Sequence, residues 1–236
     1  MLIAADPQIH LQVRRERSAW NGVFNLLEPM HTAQQQSLLS ENVRKRTPAL
    51  PAGEIDTYGF FDRGLVEAAC TAITSAVAAQ LVEFGWLAPD VSRESFLWNT
   101  KLMRTRGAPF HHDGHNRSWH QRLFWVYVVE ADGVEMRMPN LGLSLPLQSG
   151  QLIVFDPLQP HAVVKTDAAG FSKRHFDRTK LQVFLAGDMA YSPEFFGMLG
   201  LETRPAALAV RPYQDLESLM VEDRSGDIIP RNYAAR

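Results

Sequence analysis

The second half of the chain is divided by turn-forming residues into short apolar segments, and this punctuation limits the fold more than any other feature. After Pro89 the segments run "SFLWNTKLMRT" (95–105), "RLFWVYVVEA" (122–131), "VEMRM" (134–138), "LSLPL" (143–147), "GQLIVFD" (150–156), "HAVVKT" (161–166) and "RTKLQVFLA" (178–186). Each is bounded by Gly, Pro, Asn or Asp. Strands of this length and spacing predict a sandwich or barrel of the jelly-roll kind, and not a sheet built from strand–helix–strand units. "RLFWVYVV" is apolar on both faces, which predicts a central strand covered on two sides.

The first half reads differently. Residues 11–47 are polar and helix-prone, and "TPALPAG" (47–53) reads as a turn-rich connection. A helix is expected from Asp62, its apolar face formed by Leu65, Ala69, Ile73, Val77 and Leu81, with Asp62 as N-cap and Gly85 as stop. We therefore expect a single mainly β (α+β) domain over 1–236. Within it, 1–89 forms an N-terminal helical flank, 90–187 the jelly-roll core, and 188–236 an extension that packs on the core or on a partner, compatible with a homodimer.

Bulk properties narrow the function. A formal net charge of −2 offers no electrostatic case for nucleic acid or an anionic membrane. No apolar run reads as the roughly 20 residues that span a bilayer. The single cysteine, Cys70, excludes an internal disulfide framework and suits a reducing, cytoplasmic setting, where a small buried hydrophobe is its expected role.

Four of the eight histidines fall in "APFHHDGHNRSWH" (108–120). Side chains at i and i+2 of a strand share a face, so His111 and Asp113 converge while His112 points away. A third ligand candidate, His161, opens a strand after a Pro-bracketed turn in "GQLIVFDPLQPHAVV". Two histidines and one carboxylate occupy one face of an octahedral metal and leave positions open, the arrangement used by non-haem Fe(II) oxygenases. His115, Trp119 and His120 lie in the polar part of the run and, with Asn99, are candidate substrate contacts. Asn99, Lys101 and Met103 share one face of an early strand, with Trp98, Thr100 and Leu102 on the other; one of these faces should line the pocket.

In these features the chain resembles the Fe(II)/2-oxoglutarate-dependent dioxygenases, and within them the prolyl-hydroxylase-like branch. The matching features are His111-His112-Asp113 as H-x-D, His161 in its Pro-bracketed setting, and Arg178 in the following segment. The resemblance implies a double-stranded β-helix core (jelly-roll, cupin-like), metal ligands His111, Asp113 and His161, and the cosubstrates 2-oxoglutarate and O2. It implies that Arg178 binds the distal carboxylate of 2-oxoglutarate. Lys180 stands where the family often has Ser, so a second cation would share that face. The expected activity is hydroxylation of an unactivated C–H bond of a small molecule, such as an amino acid or biosynthetic intermediate, with release of succinate and CO2. A peptidyl, prolyl-type hydroxylase and a cupin-like metal protein that does not use 2-oxoglutarate are the alternatives. DNA-repair members carry a second arginine six residues after the first, and here that position is Phe184.

Overall fold

A computed structural model describes residues 8–11, 22–45, 49–58, 64–87, 96, 99–111, 122–139, 142–157, 160–176, 181–190, 220–222 and 228–230. Its strands are β1 (Gln8–Leu11), β2 (Gly22–Leu27), β3 (Ile55–Tyr58), β4 (Lys101–Thr105), β5 (Ala108–His111), β6 (Arg122–Glu130), β7 (Val134–Met138), β8 (Leu143–Pro146), β9 (Gln151–Phe155), β10 (His161–Lys165), β11 (Gln182–Ala190), β12 (Met220–Glu222) and β13 (Ile228–Pro230). The helices are α1 (Ala33–Arg44) and α2 (Leu65–Glu83), and a short 3-10 turn spans Lys173–Phe176.

Two antiparallel sheets are stacked: a seven-stranded one in the order β1-β2-β9-β6-β11-β4-β3, and a four-stranded one in the order β5-β10-β7-β8. Strands β4 to β11 alternate between the sheets in a way that defines a jelly roll. With β4 counted as first, the large sheet holds the first, eighth, third and sixth strands, and the small sheet the second, seventh, fourth and fifth. The expected core architecture is therefore present. As expected, β6 is central in the large sheet, with buried residues on both faces.

Those two faces serve two cores. Trp125 and Tyr127 of β6, Leu152 and Val154 of β9, and Val183 and Leu185 of β11 face the helices. Val126 and Val128, Ile153 and Phe155, and Phe184 and Ala186 face the small sheet, where Met136, Met138 and Leu145 meet them. Of the predicted row on α2, Ala69, Ile73, Val77 and Leu81 are buried against the large sheet, whereas Leu65, in the first turn, is exposed and does not join it. Ile73, Val77 and Leu81 each contribute about 1.5–3 kcal/mol of burial. By length and composition α2 is also apolar enough to cross a membrane, which the sequence reading understated. Cys70 is buried on this helix, as expected, and burial first, then Glu67, pushes its thiol up to about 12.

Several boundaries differ from expectation. The N-terminal flank is not only helical: β1, β2 and β3 extend the large sheet, with β2 pairing along β9 from Val23↔Phe155 to Leu27↔Gln151. "GVFNLL" is too short and apolar for its period to separate strand from helix. The helix expected from Asp62 starts after Gly64, and Asp62 lies outside the described residues. Gly85 does end it, at φ +71. The early strand begins at Lys101, not 95, because Phe96 is helical and accepts a hydrogen bond at its carbonyl from the Thr100 hydroxyl at 3.0 Å. The last core strand runs to Ala190, and within the extension β12 and β13 pair antiparallel.

Polar clamps lock the helices to the large sheet. Buried Arg104 donates to Asp56 Oδ2 at 3.0 Å and to the Val43 carbonyl at 3.2 Å, tying β4 to β3 and α1. Thr32 and Gln35 form a capping box at the start of α1. Just before it, the Tyr127 hydroxyl accepts from the Met30 amide at 2.6 Å and lies 2.6 Å from His31 Nδ1, while His31 Nε2 lies 3.2 Å from Ser149 Oγ. Burial lowers the His31 pKa, outweighing its contact with Gln36.

Two predictions follow from this packing. Gly107 (φ +74) turns β4 into β5, and an added Cβ would stand 2.4 Å from the Phe176 ring. Gly107→Ala should cost at least about 1–3 kcal/mol in chemical denaturation. Because folding lowers the His31 pKa, the folded state binds fewer protons than the unfolded one. The stabilisation is complete above about pH 6.5 and is lost as pH falls from there through the folded value. His31→Gln should flatten that part of the stability–pH curve; an unchanged curve would show that His31 is not its source.

Candidate metal centre

The β4–β5 turn carries the chain from the large sheet to the small one, so β4 and β5 run back toward the same end of the sandwich. β5 ends on His111, β10 begins on His161, and the two residues stand directly opposite in the antiparallel register. The next recorded pair is Val163↔Ala108, so two steps on β10 match three on β5. This irregularity reverses the alternation on β5. Ala108 and His111, three residues apart, therefore both take the inner face, which unbroken pairing would forbid.

The imidazole rings of His111 and His161 lie 4.3 Å apart between centroids, tilted by 55°. A metal–imidazole bond of about 2.0–2.1 Å puts a ring centroid about 3.2 Å from the ion, so rings at adjacent octahedral positions stand about 4.5 Å apart. The observed spacing fits that requirement. His111 Nδ1 is 2.7 Å from the Pro109 carbonyl. A carbonyl only accepts, so Nδ1 carries the proton and the Nε2 lone pair is left for a ligand. His161 is nearly buried and stands edge-on to Phe155, with centroids 4.9 Å apart. Phe155 in turn packs edge-on against Phe124, so one flank of the histidine pair is an aromatic wall.

Two of the three expected metal ligands are thus brought together. Asp113, the expected carboxylate, lies outside the described residues, as do His112, His115, Trp119, His120, Arg178 and Lys180. Among the described residues no cluster of three or more His, Cys, Asp and Glu forms. Asn99 is half-buried just ahead of β4, and its carbonyl lies 3.1 Å from where a Cβ on Gly187 would be. Asp156 is buried directly after β9.

The register also settles which face of the early strand lines the interior. Lys101 is opposite Ala186 and Met103 is opposite Phe184, both on the inner face, whereas Leu102 and Arg104 face the helices. Asp188, which the sequence reading missed, pairs with Phe124 and so takes an inner-face position at the level of the aromatic wall. Its sequence neighbours "AGDMA" carry too weak an alternation to mark it.

No family model matches the chain, and no curated protein sequence matches it. Among solved structures it is similar to a viral collagen prolyl hydroxylase from Paramecium bursaria Chlorella virus-1 in complex with 2OG, at 10% identity and a TM-score of 0.47. That match covers 71% of this chain and 96% of the other. It is similar to a prolyl-4-hydroxylase from Pseudomonas putida at 17% identity and a TM-score of 0.41, covering 72% and 92%. It is also similar to the non-haem alpha-ketoglutarate-dependent epimerase SnoN from nogalamycin biosynthesis, at 9% identity and a TM-score of 0.43, covering 82% and 88%.

The paired imidazoles predict a divalent transition-metal site. Replacing either His111 or His161 by Ala should weaken Co(II) binding by more than the roughly 10–100-fold typical of outer-shell changes, read by the cobalt absorption spectrum. Equal binding by both variants and the parent chain would remove the pair from the site.

Proposed function

We propose that this chain is an Fe(II)- and 2-oxoglutarate-dependent dioxygenase that hydroxylates an unactivated C–H bond of a small molecule, such as an amino acid or biosynthetic intermediate. The observation that carries the reading is the His111–His161 pair, at coordination spacing, on facing strands at one end of a jelly roll. His111, His161 and, from the sequence, Asp113 would hold the metal, leaving one face of an octahedron open. When bound, iron supplies oxygen activation coupled to oxidative decarboxylation of 2-oxoglutarate to succinate and CO2.

The chain's own residues do the positioning. The Pro109 carbonyl holds the His111 ring in one tautomer and one orientation. Phe155 and Phe124 exclude water from the side of the pair that faces the large sheet. Below them Val126, Val128, Ile153 and Met136 fill the space between the sheets, so substrate approaches from the mouth and not through the sandwich. The far carboxylate of 2-oxoglutarate needs a cation, and the family resemblance offers Arg178 with Lys180, ahead of β11.

The test is anaerobic addition of 2-oxoglutarate to the Fe(II)-loaded chain, followed by admission of O2. The reading expects a visible charge-transfer band, then succinate in proportion to 2-oxoglutarate consumed, with both lost in His161→Ala. Metal binding without either signal would point instead to a cupin-like protein that does not use 2-oxoglutarate. Screening metabolite and peptide pools for a mass gain of one oxygen then separates a small-molecule hydroxylase from a peptidyl one; modified peptides alone would overturn the small-molecule reading.

A further inference from the structure

We propose that His31 is a proton-operated latch on helix α1: uptake of one proton at its Nδ1 breaks the contact with Tyr127 and loosens the N-terminal end of the helix from the large sheet. Tyr127 faces the helices, so this cluster lies on the opposite side of the large sheet from the histidine pair.

The hydrogens of the cluster can be assigned one by one. The Met30 amide donates to the Tyr127 hydroxyl oxygen at 2.6 Å, so the phenol's own hydrogen still needs an acceptor, and His31 Nδ1 stands 2.6 Å away. Ser149 Oγ donates its hydrogen to the Val129 carbonyl at 2.8 Å, so toward His31 Nε2, 3.2 Å away, it can only accept. Nε2 therefore carries the ring proton, Nδ1 is bare, and the phenol donates to it. Gln36 completes the set: its Nε2 donates to the Val129 carbonyl at 2.9 Å and to Ser149 Oγ at 3.0 Å. Each of these hydrogens has an acceptor while the ring stays neutral.

A proton at Nδ1 would set two hydrogens on the one line between nitrogen and oxygen. Tyr127 is fully buried, so its hydroxyl cannot turn to bulk solvent, and a buried donor left without an acceptor costs more than a typical hydrogen bond contributes. Nor can the phenol give its proton up, because burial, against the Met30 contact, pushes Tyr127 up to about 12. His31 also directly precedes Thr32, the N-cap of α1, where the helix dipole is positive and opposes a second positive charge. The lowered His31 pKa agrees with this geometry: burial outweighs the Gln36 contact, and no charged group is among its causes. Of the charges on the surrounding elements, Glu28 is exposed ahead of α1, Glu41 meets Ser37 and Lys45, and Glu130 of β6 is held by Arg44. The turn before β9, at Gln148 to Gly150, carries none.

The two ends of α1 are fastened differently. Its C-terminal end is tied by Arg104 to the Val43 carbonyl at 3.2 Å and by Arg44 to Glu130, bonds that do not involve His31. Gln36 keeps its two bonds when the ring is protonated, so the change loosens the first turn and does not unfold the domain. The segment that loosens is the one whose Met30 and Leu38 pack against the helix-side core.

The experiment combines histidine 15N NMR with amide hydrogen exchange on the full chain across the His31 titration. The His31 ring is identified by its absence from His31→Gln, and at neutral pH it should show Nε2 protonated and Nδ1 bare. Exchange rates, corrected for their intrinsic pH dependence, are compared well above and well below the His31 midpoint. Protection of the Met30 and Gln36 amides should fall about tenfold on the acid side, the equivalent of one hydrogen bond. The Lys45 amide, at the other end of α1, should not change, and in His31→Gln the fall should vanish. Tyr127→Phe removes the competing hydrogen, so His31 should there titrate closer to its ordinary value of about 6.5. A ring protonated at Nδ1 at neutral pH, or an equal fall in protection in His31→Gln, would overturn the latch.

Discussion

The pairing of β5 with β10 is the constraint on which the rest of the site depends. A regular antiparallel ladder would place Ala108 and His111 on opposite faces, yet one must fill the interior and the other must face His161. The irregular register between His161 and Val163 meets both demands. At the turn just before it, Gly107 holds a left-handed conformation, with Phe176 closing over it. The Thr105 hydroxyl donates to the Gly107 carbonyl across the same turn at 2.6 Å. A one-residue slip anywhere in this corner would turn a histidine out of the site.

The jelly-roll order supplies the second half of the geometry. Strands adjacent in sequence, β4 and β5, belong to different sheets, so the two faces of the site come from residues close together along the chain. Strands distant in sequence, β5 and β10, are neighbours in one sheet and bring the two histidines together. The large sheet is held rigid from behind by α1 and α2 through an apolar core and the Arg104 clamp.

Much of this was legible in the sequence, and the exceptions have physical causes. The strands from β6 to β10 match their expected segments to within one or two residues, because Gly, Pro, Asn or Asp bounds each of them. The last core strand is displaced by four residues, since "LQVFLAG" is apolar on both faces and has no alternation to mark its register. β2 was missed because it joins an edge of the sheet far from its neighbours in sequence, which no local pattern encodes. That His111 and His161 would meet was expected because a jelly roll brings such distant segments together, and the register sets them opposite each other. Lys101 and Asp188 were not resolved as pocket residues, because that choice needs the pairing of β4 with β11 and of β11 with β6.

The central claim is that His111 and His161 together hold one metal ion. X-ray absorption at the iron edge of the Fe(II)-loaded chain counts imidazole ligands through their outer-shell scattering. The account predicts two imidazoles in the parent chain and one in His111→Ala. A spectrum with oxygen ligands only, or the same imidazole count in both proteins, would contradict it.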